Sequence, residues 1–297
     1  MSIFEEKIKF IDEAVANFEK QVPGMEKELM NLIRERLIDN LVYDENGLSQ
    51  TPTNIQLVSV IDDIYAEFSF NFQAEPFKEL AKNLLKVTNY NKAYYTDDLD
   101  FSKTKINAIS TELDGIKKMI GFDGKKISKG SYLDIVSQGS GVKEKLKQYV
   151  IESIISKKGS KEFAKGFKEI VQGGKGKTGL LDRYHKQYTY DVLNKVDAAE
   201  NKFMASELDL QFFRYEGTLI KTSREFCRKR VGQVFHVKET EDWKNDPDLI
   251  EPSTKDSYNP LVERGRYNCR HFIRYITDEK AEQLDPDKYD KYANNKS

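Results

Sequence analysis

Cysteine, tryptophan and long apolar runs are all scarce in this chain of 297 residues. Only two cysteines occur, Cys227 and Cys269, and there is one tryptophan. Two cysteines cannot supply the framework of a disulfide-stabilised secreted scaffold. No apolar run approaches the roughly 18 residues that a membrane-spanning helix needs. The sequence therefore predicts no membrane partner.

The N-terminal stretch lacks the features of a secretory signal. Residues 1–20 are acidic and amphipathic, without the basic start, apolar block and small-residue cleavage site of a signal peptide. We therefore expect synthesis in a cytoplasm. The composition is polar, with 33% charged residues, but 11% of the residues are aromatic, which is enough to build a packed core.

Arginine is absent from the middle of the chain, where lysine is abundant. Residues 103–177 carry 17 lysines against 8 acidic residues, whereas residues 1–102 carry 10 basic and 19 acidic residues. Two solvated helical faces of opposite charge are the simpler interpretation. The alternative is a basic surface that contacts DNA or an acidic partner. The lack of arginine disfavours specific phosphate or base recognition, which relies on its planar fork.

Hydrophobic spacing predicts a mostly α-helical α+β fold with long N-terminal helices and a small C-terminal β-containing module. Helices are predicted near 3–18, 24–41, 55–90 and 179–206, with a kink or break at Pro76 and a distortion where Phe68, Phe70 and Phe72 alternate. We expect these aromatic side chains to pack in the core. Strands are predicted at 208–215, 218–220, 231–237 and 267–276.

Composition divides the chain into four parts. They are an acidic helical domain at 1–102, a basic, glycine-interrupted helical region at 103–177, a module with a long helix and a small β element at 178–276, and a charged tail at 277–297. We expect the tail to be mobile. The run VQGGKGKT at 171–178 has Val171 where a phosphate-binding loop needs glycine, and a helical pattern where it needs a strand. A flexible joint between two helices is therefore predicted there.

The C-terminal third carries a set of metal-ligating side chains. Cys227, His236, Cys269 and His271 form a chemically complete tetrahedral zinc set, although no pair has the C-x-x-C spacing of a zinc finger. Cys269 and His271 would share one face of a strand, which suits joint ligation. Buried structural thiols, a metal site and a disulfide all remain open. Catalytic Cys–His chemistry is a weaker interpretation of these residues, because no third group that would orient the histidine is evident.

Three segments of this third carry a family resemblance: FFRYEGTLIKTSREFCRKRVGQVF at 212–235, EDWKND at 241–246 and GRYNCRHFIRYI at 265–276. Together they resemble the head-morphogenesis proteins of the phage Mu F-like minor head class. The matching motif residues are Tyr215, Gly217, Ser223, Arg224, Cys227, Arg230, Gly232, Phe235, Trp243, Gly265, Tyr267, Asn268, Cys269, Arg270 and His271. Many members have further cysteines where this chain has Arg230 and His271, so any zinc here would need histidine.

The halves of this motif must meet to close the module. Cys227 and Cys269 are therefore predicted to approach each other. At least one of Arg224, Arg230 and Arg270 is predicted to bond backbone carbonyls or an acidic side chain and so tie residues 223–230 to the last strand.

The resemblance implies a phage virion structural protein without enzymatic activity. Such a protein is made in the host bacterial cytoplasm and enters the virion. It contacts the portal protein, the major capsid protein or other virion proteins during head assembly and DNA packaging or ejection. Packaged DNA and a second copy of the chain are further expected partners, and a structural zinc ion is the one cofactor considered. The alternatives are a zinc-dependent or Cys/His-based enzyme built on Cys227, Cys269 and His271, and a non-specific DNA-binding protein that uses residues 103–177.

Overall fold

Long helices precede a small sheet, which makes the chain a mostly helical α+β protein, as the hydrophobic spacing predicts. This computed structural model describes residues 2–113, 121, 128–130, 134, 140–249, 258–266 and 269–293, with the backbone alone at 72, 73, 112, 140 and 186–188. Among the helices within those ranges, none is long and apolar enough to cross a bilayer.

Most of the helices before the sheet bury apolar side chains on one face. The helices are α1 (Ile3–Glu19), α2 (Val22–Arg36), α3 (Pro52–Leu57), α4 (Val60–Phe68), α5 (Ala74–Ala93), α6 (Lys103–Glu112), α7 (Ser140–Ile155), α8 (Ser160–Gln172) and α9 (Leu180–Glu207). In α8 the buried face consists of Phe163, Phe167 and Val171, spaced by four residues. Pro23 lies in the first turn of α2, where its missing amide hydrogen is not needed.

The predicted helix over 55–90 is interrupted before Pro76. A π-helical turn at Ser69–Gln73 separates α4 from α5, and Pro76 lies in the first turn of α5. The distortion expected from the alternating aromatic residues is thus present. Phe68 is buried, whereas Phe70 is 80% exposed. The core-packing expectation is therefore wrong for Phe70, because the π turn changes which side chains face the core.

Two short hairpins connect helices. Strands β1 (Tyr43–Asp44) and β2 (Gly47–Leu48) pair with each other, as do β3 (Gly173–Gly174) and β4 (Lys177–Thr178). The second hairpin occupies the glycine-rich run, so the joint between α8 and α9 is a defined turn. Gly173 and Gly176 have φ values of 82° and 75°, which glycine adopts without strain. The segment before this run is helical, as predicted, which excludes the strand-first order of a phosphate-binding loop.

The C-terminal sheet is antiparallel with strand order β6–β5–β7. Strand β5 is Phe212–Glu216, β6 is Val234–His236 and β7 is Phe272–Ile276. The predicted strand at 218–220 is wrong. Gly217, with a φ of 137°, turns the chain away, so that β5 pairs with two more distant strands. The connections contain α10 (Glu225–Arg228), a 3-10 helix at Val237–Asn245 and α11 (Pro260–Glu263).

The charged tail is helical through residue 293, contrary to the mobile tail that we expect from its composition. It forms α12 (Asp278–Leu284) and α13 (Pro286–Ala293). Tyr289 and Tyr292 pack against Phe212 of the sheet, and Lys288 Nζ donates to the carbonyl of Val234 at 2.6 Å. The signal that composition overlooks is Thr277, whose hydroxyl caps the start of α12.

The chain forms two compact units, each assembled from separated segments. Unit 1 comprises Met1–Asp12, Asn83–Lys117 and Tyr190–Ser297, and unit 2 comprises Glu13–Lys82 and Lys118–Thr189. The sheet and every residue of the candidate metal set belong to unit 1. The four compositional segments describe charge along the sequence, and as domains they stay a prediction.

Candidate metal centre

The central strand β5 presents alternate side chains to two faces of the sheet, which determines where each candidate ligand lies. On one face, Phe212 pairs with His236. On the other face, Phe213 and Tyr215 pack edge-on against Trp243, with ring centroids 6.1 Å and 5.8 Å away. Trp243 is 4% exposed and anchors the 3-10 helix on the face that also holds the cysteines.

Two cysteines, a histidine and a tyrosine meet on the Trp243 face. Cys227 comes from α10 and Cys269 from the segment before β7, and their sulfur atoms lie 3.8 Å apart. The predicted approach of the two cysteines is confirmed. Tyr215 Oη lies 3.5 Å from Cys227 Sγ and 3.6 Å from Cys269 Sγ. His271 Nδ1 lies 3.6 Å from Cys269 Sγ.

His236, the fourth member of the predicted zinc set, lies on the opposite face of the sheet. Its ring stacks on Tyr292 at 4.2 Å, and its Nδ1 accepts a hydrogen bond from the amide of Lys238 at 3.2 Å. The group whose donor atoms lie within 4.8 Å of one another consists of Cys227, Cys269 and His271. Successive residues of a strand face opposite sides of the sheet. His236 pairs with Phe212, so it faces away from the side of the sheet that holds the cysteines and Trp243.

The cluster is buried and electrostatically asymmetric. Cys227, Cys269 and His271 are 1%, 4% and 3% exposed. The hydrogen bond shared with Cys227, together with His271 and Arg264, holds the pKa of Cys269 well below its ordinary value. The same hydrogen bond, together with burial, raises the pKa of Cys227. Burial raises the pKa of Tyr215 well above its ordinary value, so its hydroxyl is protonated and donates.

Arg264 is a charged neighbour that sequence reasoning missed. It is 3% exposed, and its Nη2 donates to the carbonyl of Asn194 at 3.3 Å. Its Nε and Nη1 atoms are buried and have no hydrogen-bond partner among the residues that the structure describes. The backbone φ at this position is 50°, in the left-handed region. The adjacent Gly265 was a possible signal, because a glycine here marks a close backbone approach.

Gly265 is packed directly against the two sulfur atoms. A Cβ atom at this position would lie 2.6 Å from Cys227 Sγ and 3.2 Å from Cys269 Sγ. Gly217 likewise passes close to the histidine, since its Cβ would lie 2.9 Å from the His271 ring. A side chain at Gly217 or Gly265 would collide with the cluster, so both positions require glycine.

The motif arginines hold the surrounding chain in place, which confirms the structural role predicted for at least one of them. Arg224 Nη1 donates to the carbonyl of Gly265 at 2.8 Å, which links α10 to the segment before the last strand. Arg230 bonds Asp246 at 2.6 Å and the carbonyl of Phe226 at 2.8 Å. Arg270 is exposed and lies 5.8 Å from the Tyr190 ring.

Two further motif residues are Ser223 and Asn268. Ser223 Oγ accepts a hydrogen bond from the amide of Ile220 at 2.8 Å and closes the turn before α10. Asn268 lies outside the described residues. The predicted pairing of Cys269 and His271 along a strand is replaced by a loop, because β7 begins one residue after His271.

A small cavity of about 100 Å³ reaches the cluster. It is lined by Asp191, Asn194, Lys195, Val262, Glu263, Arg264, Arg266 and Cys269. Organic ligands usually occupy sites of roughly 300–1,000 Å³. This cavity therefore suits an ion or a water molecule better than an organic substrate. Comparison with protein-family models, curated proteins and solved structures finds no match to this chain.

Proposed function

We propose that this protein is a minor head protein of a tailed phage, which acts at the portal and capsid through protein contacts. The observation that carries the proposal is the convergence of the three resembling segments on one centre. Tyr215 of the first segment, Trp243 of the second and Cys269 of the third meet on one face of the sheet. Segments that form one folded module are better grounds for a resemblance than separate short motifs.

The roles of the motif residues favour a structural protein over an enzyme. Arg224 and Arg230 hold the backbone around the cysteines by hydrogen bonds, and Gly265 packs against the two sulfur atoms. The cysteines are buried, and the adjoining cavity is too small for most substrates. A Cys/His-based enzyme would need its nucleophile accessible to substrate.

An exposed apolar pair offers a contact surface within the first resembling segment. Leu219 and Ile220 follow the Gly217 turn and are 42% and 41% exposed. Apolar side chains at the centre of an interface contribute most of its binding energy. We expect this pair to contact the portal protein.

The test is fractionation of phage heads from the bacterial strain that carries the gene. An epitope-tagged copy should sediment with procapsids, and portal protein should be recovered with it from detergent-free extracts. The double change Leu219→Ser and Ile220→Ser should reduce incorporation severalfold. The matched control is Ile155→Ser, another exposed apolar residue, at 69%. Absence of the tagged protein from every particle fraction would disprove the proposal.

A further inference from the structure

We infer that Cys227, Cys269 and His271 form a structural zinc site, with the oxygen of Tyr215 in the fourth position. Zinc binding displaces the proton that this hydroxyl otherwise donates to a cysteine sulfur. The inference is independent of the virion assignment, because it rests on the geometry of one buried cluster. The three ligand side chains come from two separate connections of the sheet, α10 and the segment before β7. A metal bound there would join the two halves of the module.

The separations of the donor atoms match tetrahedral coordination. A zinc ion with bonds of about 2.3 Å to sulfur and about 2.0 Å to nitrogen or oxygen separates two sulfur ligands by about 3.8 Å, and sulfur from nitrogen or oxygen by about 3.5 Å. The two sulfurs lie 3.8 Å apart, and Cys269 Sγ lies 3.6 Å from His271 Nδ1. Tyr215 Oη lies 3.5 Å and 3.6 Å from the sulfurs.

The separation between Cys227 Sγ and the His271 ring is less well matched to coordination. Cys227 Sγ and a ring nitrogen of His271 lie within 4.8 Å of each other, and tetrahedral coordination requires them to approach to about 3.5 Å. A disulfide requires a larger change, because its sulfurs must approach from 3.8 Å to about 2.0 Å. Gly265 packs against both sulfurs and restricts such a movement.

Arg264 is a buried positive charge beside the cluster. Two nitrogens of Arg264 are buried without a hydrogen-bond partner among the residues that the structure describes. Buried polar groups in folded proteins nearly always have partners, and an ion or ordered water explains many exceptions. Sulfurs that a metal keeps deprotonated place negative charge beside the Arg264 guanidinium.

The choice of zinc follows from the ligand types. Two thiolates and an imidazole suit zinc, whereas calcium and magnesium prefer oxygen ligands. The site is closed by protein groups, as structural zinc sites are. The cavity of about 100 Å³ beside Cys269 provides an access route for an ion.

The test begins with the metal content of the full-length protein, purified with reductant and without a polyhistidine tag. Elemental analysis should give about one zinc per chain. After removal by a chelator, added Co²⁺ should produce sulfur-to-cobalt absorption in the near ultraviolet and the visible bands of tetrahedral cobalt. Thermal stability should fall on chelation and recover on addition of zinc.

Single substitutions distinguish the residues that bind the metal from residues that only lie nearby. Cys227→Ser, Cys269→Ser and His271→Asn should each weaken Co²⁺ binding at least tenfold. His236→Asn is the matched control, because His236 lies on the opposite face of the sheet and should leave binding unchanged. Tyr215→Phe should retain the thiolate absorption and alter the visible bands. An unchanged cobalt spectrum in Tyr215→Phe overturns the assignment of the fourth position.

Titration of the wild-type protein keeps the test independent of variant folding. A folded wild-type chain with two free thiols that gives no Co²⁺ absorption overturns the inference. So does a Cys227–Cys269 disulfide in protein whose thiols are alkylated at the moment of cell lysis. Equal loss of metal in His236→Asn and His271→Asn overturns the ligand set.

Discussion

His185 is a buried ionisable side chain that makes unit 2 sensitive to acid. It lies on α9, is fully buried and packs edge-on against Phe18 and Phe77, with ring centroids 5.7 Å and 5.5 Å away. Burial lowers the pKa of His185 to about 3, from an ordinary value of 6.5. The unfolded chain therefore takes up a proton below pH 6.5 that the folded chain does not.

Acid therefore destabilises the folded chain through His185. His185 leaves the free energy of unfolding unaffected above pH 6.5 and lowers it as the pH falls towards about 3. The slope approaches about 1.4 kcal/mol per pH unit once the unfolded imidazole is fully protonated. We predict that His185→Leu removes this contribution, so that the stability difference between wild type and variant changes steadily from pH 6.5 to 4.5.

Urea unfolding followed by circular dichroism at several pH values measures the effect. Thr189→Val is the control, since Thr189 is also buried on α9 but does not titrate. Its stability curve should run parallel to that of the wild type. Parallel curves for His185→Leu as well would contradict the assigned pKa.

At the level of single residues, the sequence predicted which side chains could bind a metal better than it predicted where those side chains lie. Cys227, Cys269 and His271 were recognisable as ligands from chemistry alone. The exclusion of His236 depends on which face of β6 it occupies, and that is set by pairing with a strand more than twenty residues away. Arg264 was missed because its burial depends on packing against residues distant in sequence, such as Asn194, and composition does not encode that packing.

Among the structural elements, the first hairpin depends on one asparagine. Asn54 of α3 is fully buried, and its Oδ1 accepts a hydrogen bond from the amide of Val42 at 2.9 Å. Its Nδ2 donates to the carbonyls of Val42 and Ser49 at 2.8 Å and 2.7 Å. One side chain thus joins α3 to the backbone on both sides of the β1–β2 hairpin.

We predict that Asn54→Asp destabilises unit 2 and loosens this hairpin. The carboxylate keeps the acceptor but loses both donors, and each buried group left unsatisfied costs about 1–3 kcal/mol. Hydrogen exchange of the Val42 and Ser49 amides should accelerate accordingly. Asn46→Asp introduces the same chemical change at an exposed position of the hairpin turn and should alter stability by less than about 0.5 kcal/mol. Equal effects of the two changes would show that the buried hydrogen bonds contribute little.

Helices were easier to predict than strands for a physical reason. The periodicity of α1 and α9 is local, so the sequence contains it directly. The partners of β5 are β6 and β7, and nothing in the local sequence states that the nearby residues 218–220 do not pair. The same limit applies to α12 and α13, whose order comes from packing of Tyr289 and Tyr292 on the sheet.

On the scale of the whole molecule, acidic and basic segments contact each other within unit 2. Lys143 and Lys147 of the basic region lie 3.3 Å and 2.7 Å from the carboxylate of Asp62. Hydrogen bonds from these lysines, that from Lys147 foremost, lower the pKa of Asp62. Lys157 lies 3.9 Å from Asp44. Three lysines of the basic region thus pair with acidic side chains of the same unit.

A concave surface of unit 2 also mixes charges of both signs. A cavity of about 700 Å³ is lined by Lys145, Lys158, Lys165, Lys177 and Arg183, together with Glu152, Glu162 and Glu169. DNA carries a uniform row of negative phosphates and favours surfaces without carboxylates. Interspersed glutamates are more typical of a solvated surface or a protein contact.

We therefore predict that the purified protein does not bind duplex DNA at about 50 mM salt, even though residues 103–177 carry 17 lysines. Asp62→Asn removes the carboxylate that pairs with Lys143 and Lys147 and should raise DNA affinity at low salt. Asp63→Asn is the matched control, because it makes the same charge change one residue away. Fluorescence anisotropy with labelled duplex DNA across a salt series measures both. Strong wild-type binding that falls steeply as salt is added would reverse the prediction, because counterion release of that kind marks direct contact between the lysines and phosphates.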